Sequence, residues 1–171
     1  LGLVGHILFR PRGQQHSRFP VNSPRFKIPN FRSQVRECFP IHNSRGILVG
    51  FSGRTLDSDN KAKYINSPES SVFSKKKLLY GLHLAKRKGK EMDRLIVVEG
   101  YMDVIGMHRH GFHETIAVMG TALTEFHAKE LSRFTKNIIL MFDSDTAGQT
   151  AVRKSIPALQ SEGLTIQIAS L

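Results

Sequence analysis

Four short apolar runs close the second half of the chain, and their rhythm leaves few folds open. RLIVVEG, ETIAVMG, KNIILMFDSD and LTIQIASL follow one another from Arg94 onward, three of them near-continuously apolar. Between them lie MDVIGMHRHG, LTEFHAKELSRFT and AGQTAVRKSIPALQSEG, each helical in pattern. Strands that are hydrophobic on both faces and alternate with helices predict a parallel sheet covered on both sides. Thr124 is placed to cap the middle helix, with Glu125 in its first turn favouring the dipole. Pro157 falls inside the last helix, where a kink is expected.

The first half reads differently. Residues 1 to about 34 carry Pro11, Pro20, Pro24 and Pro29 among Gly, Ser, Arg and Gln, which predicts irregular or extended chain. GILVGFSGRTL (46–56) reads as a short strand or hairpin arm, and SDNKAKYINSPESS as turn-rich. SKKKLLYGLHLAKRKGK reads as a helix with Leu78, Leu79, Leu82 and Ala85 on one face and basic residues opposite, ending at Gly89. The opening LGLVGHILFRPRGQQH has neither a starting Met nor a cleavable signal pattern and reads as the edge of a fragment. No apolar run approaches the ~20 residues of a membrane-spanning helix, so no membrane partner is expected.

Charge separates the two halves. The chain of 171 residues has a net charge of +11. Residues 1–90 hold 18 of the 25 Lys and Arg but 4 of the 14 acids, whereas residues 91–171 hold 7 basic and 10 acidic residues. A basic lobe for a polyanion beside an acidic lobe able to hold cations follows, and nucleic acid is the favoured polyanion. Cys38 is the one cysteine, which excludes an intramolecular disulfide framework and a Cys-based zinc site and fits a reducing cytoplasm.

In a parallel α/β sheet, functional groups gather beyond the carboxyl ends of the strands. Glu99 ends the first run, and Asp143 and Asp145 end the third in FDSDTAG. Asp103 comes one turn into the following helix and can reach back toward Glu99. Clustered carboxylates resist joint ionisation unless a cation compensates them, and oxygen ligands favour Mg²⁺ or Mn²⁺ over zinc. Gly100 and Gly148 are read as allowing tight turns after the acidic strand ends. The pattern predicts phosphoryl or nucleotidyl chemistry, although a D-x-D at a strand end also occurs in response-regulator-like and phosphatase-like folds. HRHGFH (His108, His110, His113) straddles a Gly at a helix end and reads as surface histidines favourable to the dipole, not as a zinc site.

The same residues carry a resemblance. VVEGYMDVIGMHRHGF, AVMGTALT and FDSDTAG, in this order and at fitting separations, resemble the Toprim fold of bacterial DnaG-type DNA primases. Upstream, FPIHNSRGILVGFSGRTL, KYINSPES and LLYGLHLAK resemble further primase motifs, so the likeness runs from about Phe31 to the C-terminus. The combination is specific, because topoisomerases and other Toprim proteins share the Glu and the D-x-D but not KYINSP or EGYMD.

The resemblance implies an α/β chain, α+β overall, in which a basic N-terminal lobe precedes a mostly parallel Toprim-like sheet flanked by helices. Residues 1–30 are irregular and unassigned, 31–92 form the basic subdomain, and 93–171 form the Toprim subdomain, truncated at its C-terminus. Glu99, Asp143 and Asp145 are implied as catalytic metal ligands for Mg²⁺ or Mn²⁺, with Asp103 supporting or joining them and no zinc. Arg36, Arg54, Lys63, Tyr64, Asn66 and Lys75 match positions that handle nucleotide and template phosphates, whereas Lys76 and Lys77 read as a solvated helix start. The implied activity is DNA-templated synthesis of short RNA primers by a cytoplasmic primase-type RNA polymerase. Its implied partners are single-stranded DNA, ribonucleoside triphosphates, the RNA primer, and the replicative helicase through a domain absent here. The alternatives are a Toprim-type nuclease or topoisomerase-like enzyme, and a catalytically incomplete single-stranded-DNA-binding fragment.

Departures from the family pattern are also visible. His42-Asn43 stands in place of Arg-Asp, and Ser52 in place of a Gly. The family's second acidic segment, Asp-Pro-Asp, is expected soon after LTIQIASL, where the chain ends at Leu171. Cys38 stands where the family often has Met, and a packed apolar role is expected for it.

Overall fold

The computed structural model describes residues 7–9, 36–56, 64–88 and 92–170. They divide into two compact units, one within residues 1–41 and 48–73 and the other within 42–47 and 74–171. Lys63 and most of residues 1–30 lie outside the described residues, and of Arg36 only the backbone is described.

The first unit is built on a four-stranded sheet of β1 (Ile7–Phe9), β2 (Arg36–His42), β3 (Leu48–Thr55) and β4 (Tyr64–Asn66), in that spatial order. β1 and β4 run antiparallel to β2 and β3 respectively. Residues 7–9 are an extended segment within the irregular or extended chain expected of residues 1 to about 34. The apolar triplet Ile-Leu-Phe pairs with Cys38, Glu37 and Arg36, which satisfies its backbone along the open edge of β2. Phe39, Ile41 and Phe73 are fully buried in this unit. Gly50 makes room for Phe73, since a Cβ there would stand 2.6 Å from the ring. Cys38 is buried as expected, and burial pushes its thiol pKa up to about 12.

β2 and β3 are joined by a turn in which the Asn43 carboxamide oxygen accepts the N–H groups of Arg45 and Ile47, both at 3.0 Å. A short polar side chain that bridges its own turn explains Asn at this position.

The second unit begins with a correction. SKKKLLYGLHLAKRKGK is not one helix: Tyr80 pairs antiparallel with Ala117, and among its described residues only α1 (Leu82–Ala85) and a 3₁₀ turn (Lys86–Lys88) are helical. Gly81, at φ +83°, separates the extended part from the helical part, a conformation that glycine adopts without strain. The apolar residues read as one helical face are buried all the same: Leu78, Leu79 and Tyr80 from the extended stretch, Leu82 and Ala85 from α1.

Beyond it the expected alternation appears: β5 (Leu95–Val98), α2 (Tyr101–Arg109), β6 (Thr115–Ala117), α3 (Glu125–Leu131), β7 (Asn137–Phe142), α4 (Thr146–Ser161) and β8 (Thr165–Ser170). The sheet is parallel throughout, with strand order β6-β5-β7-β8. β5 is buried along its whole length, as a central strand with helices on both faces must be. Leu95, Val97, Ile116, Ile138 and Leu140 pack with Ala128 and Leu131 of α3 and Leu159 of α4 into one core. Each Leu, Ile or Val among them contributes about 1.5–3 kcal/mol on burial. α4 continues through Pro157.

Candidate metal and nucleotide site

The strand order creates the site. From β5 the chain crosses to β6 on one side, and then returns to place β7 on the other side of β5. Beyond the carboxyl ends of two strands whose connections diverge in this way, a crevice opens. Glu99 follows β5 and Asp143 follows β7, and these strands are hydrogen-bonded neighbours. The two acids predicted for one sheet edge are therefore brought together.

Glu99 Oε1 accepts the backbone N–H of Asp143 at 2.8 Å. Burial raises the Glu99 pKa, and the charges of Asp143, Asp145 and Asp103 raise it further, while the Asp143 N–H acts the other way. Asp103 turns back as expected, but its Oδ2 accepts the N–H of Gly100 at 3.0 Å, closing the first turn of α2. Its pKa is raised mainly by burial and also by the Asp143 charge, against the lowering effect of the Gly100 N–H.

Asp145 has a second task that periodicity did not reveal. It is the N-cap of α4, and its Oδ1 accepts the Gly148 N–H at 2.7 Å. Gly148 lies inside α4, not in a turn as expected. A Cβ there would overlap the Asp143 carbonyl oxygen and stand 2.6 Å from Glu99 Oε1, so glycine is needed for close approach. Gly100 is likewise extended, at φ −132° and ψ 163°, and serves as the N-cap of α2.

Four carboxylates sharing one edge, with raised pKa values on two of them, suit a hard divalent cation with oxygen ligands. Among the described residues no three His, Cys, Asp or Glu side chains close around a single point. These carboxylates are of the oxygen-donor type that a hard divalent cation takes, together with water or phosphate oxygens, but they do not form an enclosed cage among the described residues.

The other candidates fall in both units. Arg54 on β3 stands directly opposite Tyr64 on β4, and both are exposed, so the two side chains share one face of their sheet. Asn66 is opposite the buried Ser52. Lys75 belongs to the second unit, in the turn before Leu78. Of the three histidines of HRHGFH, His108 Nε2 bonds the Thr115 carbonyl and His110 Nδ1 the Gly106 carbonyl, both at 2.8 Å, while His113 is exposed.

A residue that sequence reasoning missed is His127. It is fully buried, and its Nδ1 accepts the Thr124 N–H at 3.2 Å while its own N–H donates to Thr124 Oγ1 at 3.3 Å. The Thr124 cap is thus present as expected, with the reciprocal partner three residues on being a histidine. A Glu or Gln at that place would have been the recognisable signal.

Comparison with known proteins agrees with this geometry. The Toprim domain family model matches residues 93–170, and that of the DNA primase catalytic core, N-terminal domain, matches residues 22–86. The DNA primase of Legionella pneumophila is 46% identical over 125 residues, covering 73% of this chain and 22% of the relative. A DNA primase domain from Pseudomonas aeruginosa superposes with a TM-score of 0.75 at 41% identity, over 83% of this chain and 44% of that one. A DnaG primase catalytic domain bound to single-stranded DNA gives a TM-score of 0.72 at 38% identity, over 80% of this chain and 44% of that one. The chain spans about a fifth of the length of the curated relatives it matches. The strand order, the acids at its switch point and these likenesses agree: the chain belongs to the family of bacterial DnaG-type DNA primases, as a segment of their catalytic core.

Proposed function

We propose that the chain forms part of the catalytic core of a cytoplasmic primase, which synthesises short RNA primers on single-stranded DNA by nucleotidyl transfer. The observation that carries this reading is the meeting of Glu99 and Asp143 at the ends of adjacent parallel strands. Glu99, Asp143 and Asp145, with Asp103 beside them, would hold Mg²⁺ or Mn²⁺. Such a cation, when bound, neutralises charge on the reacting phosphate and favours ionisation of the attacking hydroxyl.

The chain's own groups orient that chemistry. The Asp143 N–H fixes one oxygen of Glu99 and leaves the other for a ligand, and the Gly148 N–H does the same for Asp145. The exposed Arg54 and Tyr64, side by side, suit a phosphate and a base or hydroxyl of the template. Arg36, Lys63, Asn66 and Lys75 complete the proposed set for nucleotide and template. Residues 31–92 are assigned to the basic subdomain and 93–171 to the Toprim subdomain. Ribonucleoside triphosphates and the RNA primer are the remaining ligands, and the replicative helicase is the proposed protein partner through another part of the family's chain. A solved relative is described as bound to single-stranded DNA, which supports the choice of template.

The test is primer synthesis on single-stranded DNA with ribonucleotides and Mg²⁺ or Mn²⁺. Templated RNA that is lost in Glu99→Gln supports the reading. A Glu99→Gln variant as active as the parent overturns the metal assignment, and single-strand binding without any product identifies a binding segment alone.

A further inference from the structure

Phe126 opens α3 with its ring 59% exposed, and the Lys77 ammonium stands 4.8 Å from the ring centroid. A single exposed apolar side chain is ordinary on a protein surface. Three further observations set this one apart.

The first is that the two residues are held together by the fold. The Thr124 hydroxyl donates to the Lys76 carbonyl at 2.7 Å, and Thr124 is itself locked to His127 by two hydrogen bonds. Lys77 follows Lys76 directly, and Phe126 lies between Thr124 and His127 in the turn that these bonds fix. The second is charge. Lys77, the ammonium over the ring, is the last of three consecutive lysines, and against Glu125 beside Phe126 they leave a positive balance suited to a phosphodiester backbone. Lys77 is exposed, in keeping with the solvated position expected of it, but it lies in a turn and not at a helix start.

The third is direction. Tyr80 pairs antiparallel with Ala117 at the end of β6, so the chain traced back from Tyr80 to Lys77 runs off the carboxyl edge of the sheet. Glu99 stands at that same edge after the adjoining strand β5, and Asp143 after β7, one strand further on. An aromatic face flanked by ammonium groups is how single-stranded nucleic acid is held without base reading, the ring stacking on a base and the cation meeting the backbone.

We propose that Phe126 and Lys77 form a stacking platform for one base of single-stranded DNA beside the carboxylate edge. This rests on the primase reading above and adds a contact within it.

The test measures anisotropy of a labelled oligo-dT and of an abasic oligonucleotide of equal length, with the parent chain, Phe126→Ala and Phe126→Trp at one salt concentration. Phe126→Ala is expected to weaken oligo-dT binding about fivefold or more and to leave abasic binding within about twofold, with Phe126→Trp restoring the former. Equal affinity of Phe126→Ala and parent for oligo-dT, or equal losses on both oligonucleotides, overturns the platform and leaves the primase reading in place. A parent chain that binds neither oligonucleotide overturns both.

Discussion

Glu99 reaches from the end of β5 to accept the backbone N–H of Asp143 at 2.8 Å, so a side chain ties the tips of two adjacent parallel strands. Gly148 lies against that link, and a methyl group there would overlap the Asp143 carbonyl and press on Glu99 Oε1. Gly148→Ala is therefore expected to lower stability by about 1–3 kcal/mol, because overlap with backbone outweighs the better helix propensity of Ala. Urea denaturation checks this. A variant more stable than the parent would mean that the strand tips are not held as described.

Asp145 separates a capping role from a chemical one. Asn caps a helix about as well as Asp, and Ala does not. Asp145→Asn is expected to stay within about 0.5 kcal/mol of the parent, and Asp145→Ala to lose about 1 kcal/mol. Both are expected to lose metal-dependent nucleotidyl transfer by about two orders of magnitude or more. Thermal melts beside primer-synthesis rates distinguish the roles, and an active Asp145→Asn variant would remove Asp145 from the chemistry.

Stability should fall on mild acidification. Burial lowers the His127 pKa from its ordinary 6.5 to about 4, against the weaker raising effect of the Leu78 and Lys75 backbone. The folded chain then binds fewer protons than the unfolded chain between those values. The stabilisation is full above pH 6.5 and declines as pH drops toward 4, by about 3 kcal/mol in all. His83, lowered to about 4 mainly by burial, and His42 and His108, also lowered chiefly by burial, act in the same direction. Glu99 and Asp103, whose pKa values are raised, act the other way, so denaturation midpoints between pH 7.5 and 4.5 should fall by less than the histidines alone require. His127→Asn, which keeps an acceptor near the Thr124 N–H, should flatten that fall.

Ser52 stands where the family pattern has Gly, and it is fully buried with no hydrogen-bond partner for its hydroxyl among the described residues. An unpaired buried hydroxyl is destabilising by about 1–3 kcal/mol. Ser52→Ala is expected to raise Tm by roughly 2–4 °C. An unchanged or lower Tm would indicate that the hydroxyl is satisfied in solution.

The second unit was more legible than the first, for physical reasons. Near-continuous apolar runs such as Leu95–Val98 are required of strands buried on both faces, and the helices between them left a clear period. Glu99 and Asp143 could be placed at one edge because strand ends follow from the runs themselves. The stretch from Ser74 to Lys90 misled because Leu78, Leu79, Leu82 and Ala85 are spaced like a helix face. Their actual burial depends on Tyr80 pairing with Ala117, a contact 37 residues away that local periodicity does not carry. Gly148 misled for a related reason: its crowding comes from Asp143 and from Glu99 on another strand, so glycine reads locally as a turn. Ile7–Phe9 lay hidden among prolines because three residues are too few to show alternation, and their strand exists only by pairing with β2.

The sequence separation of 44 between Glu99 and Asp143 has a consequence for time as well as space. While the chain is being made, β5 and β6 can pair before β7 has been synthesised, yet the flank of β5 that meets β7 stays bare. Closing that long loop is slow compared with forming the local helices. The carboxylate edge therefore cannot exist in a half-folded chain: it appears when β7 docks, and its hydrogen-bonded strand tips mark completion of the sheet.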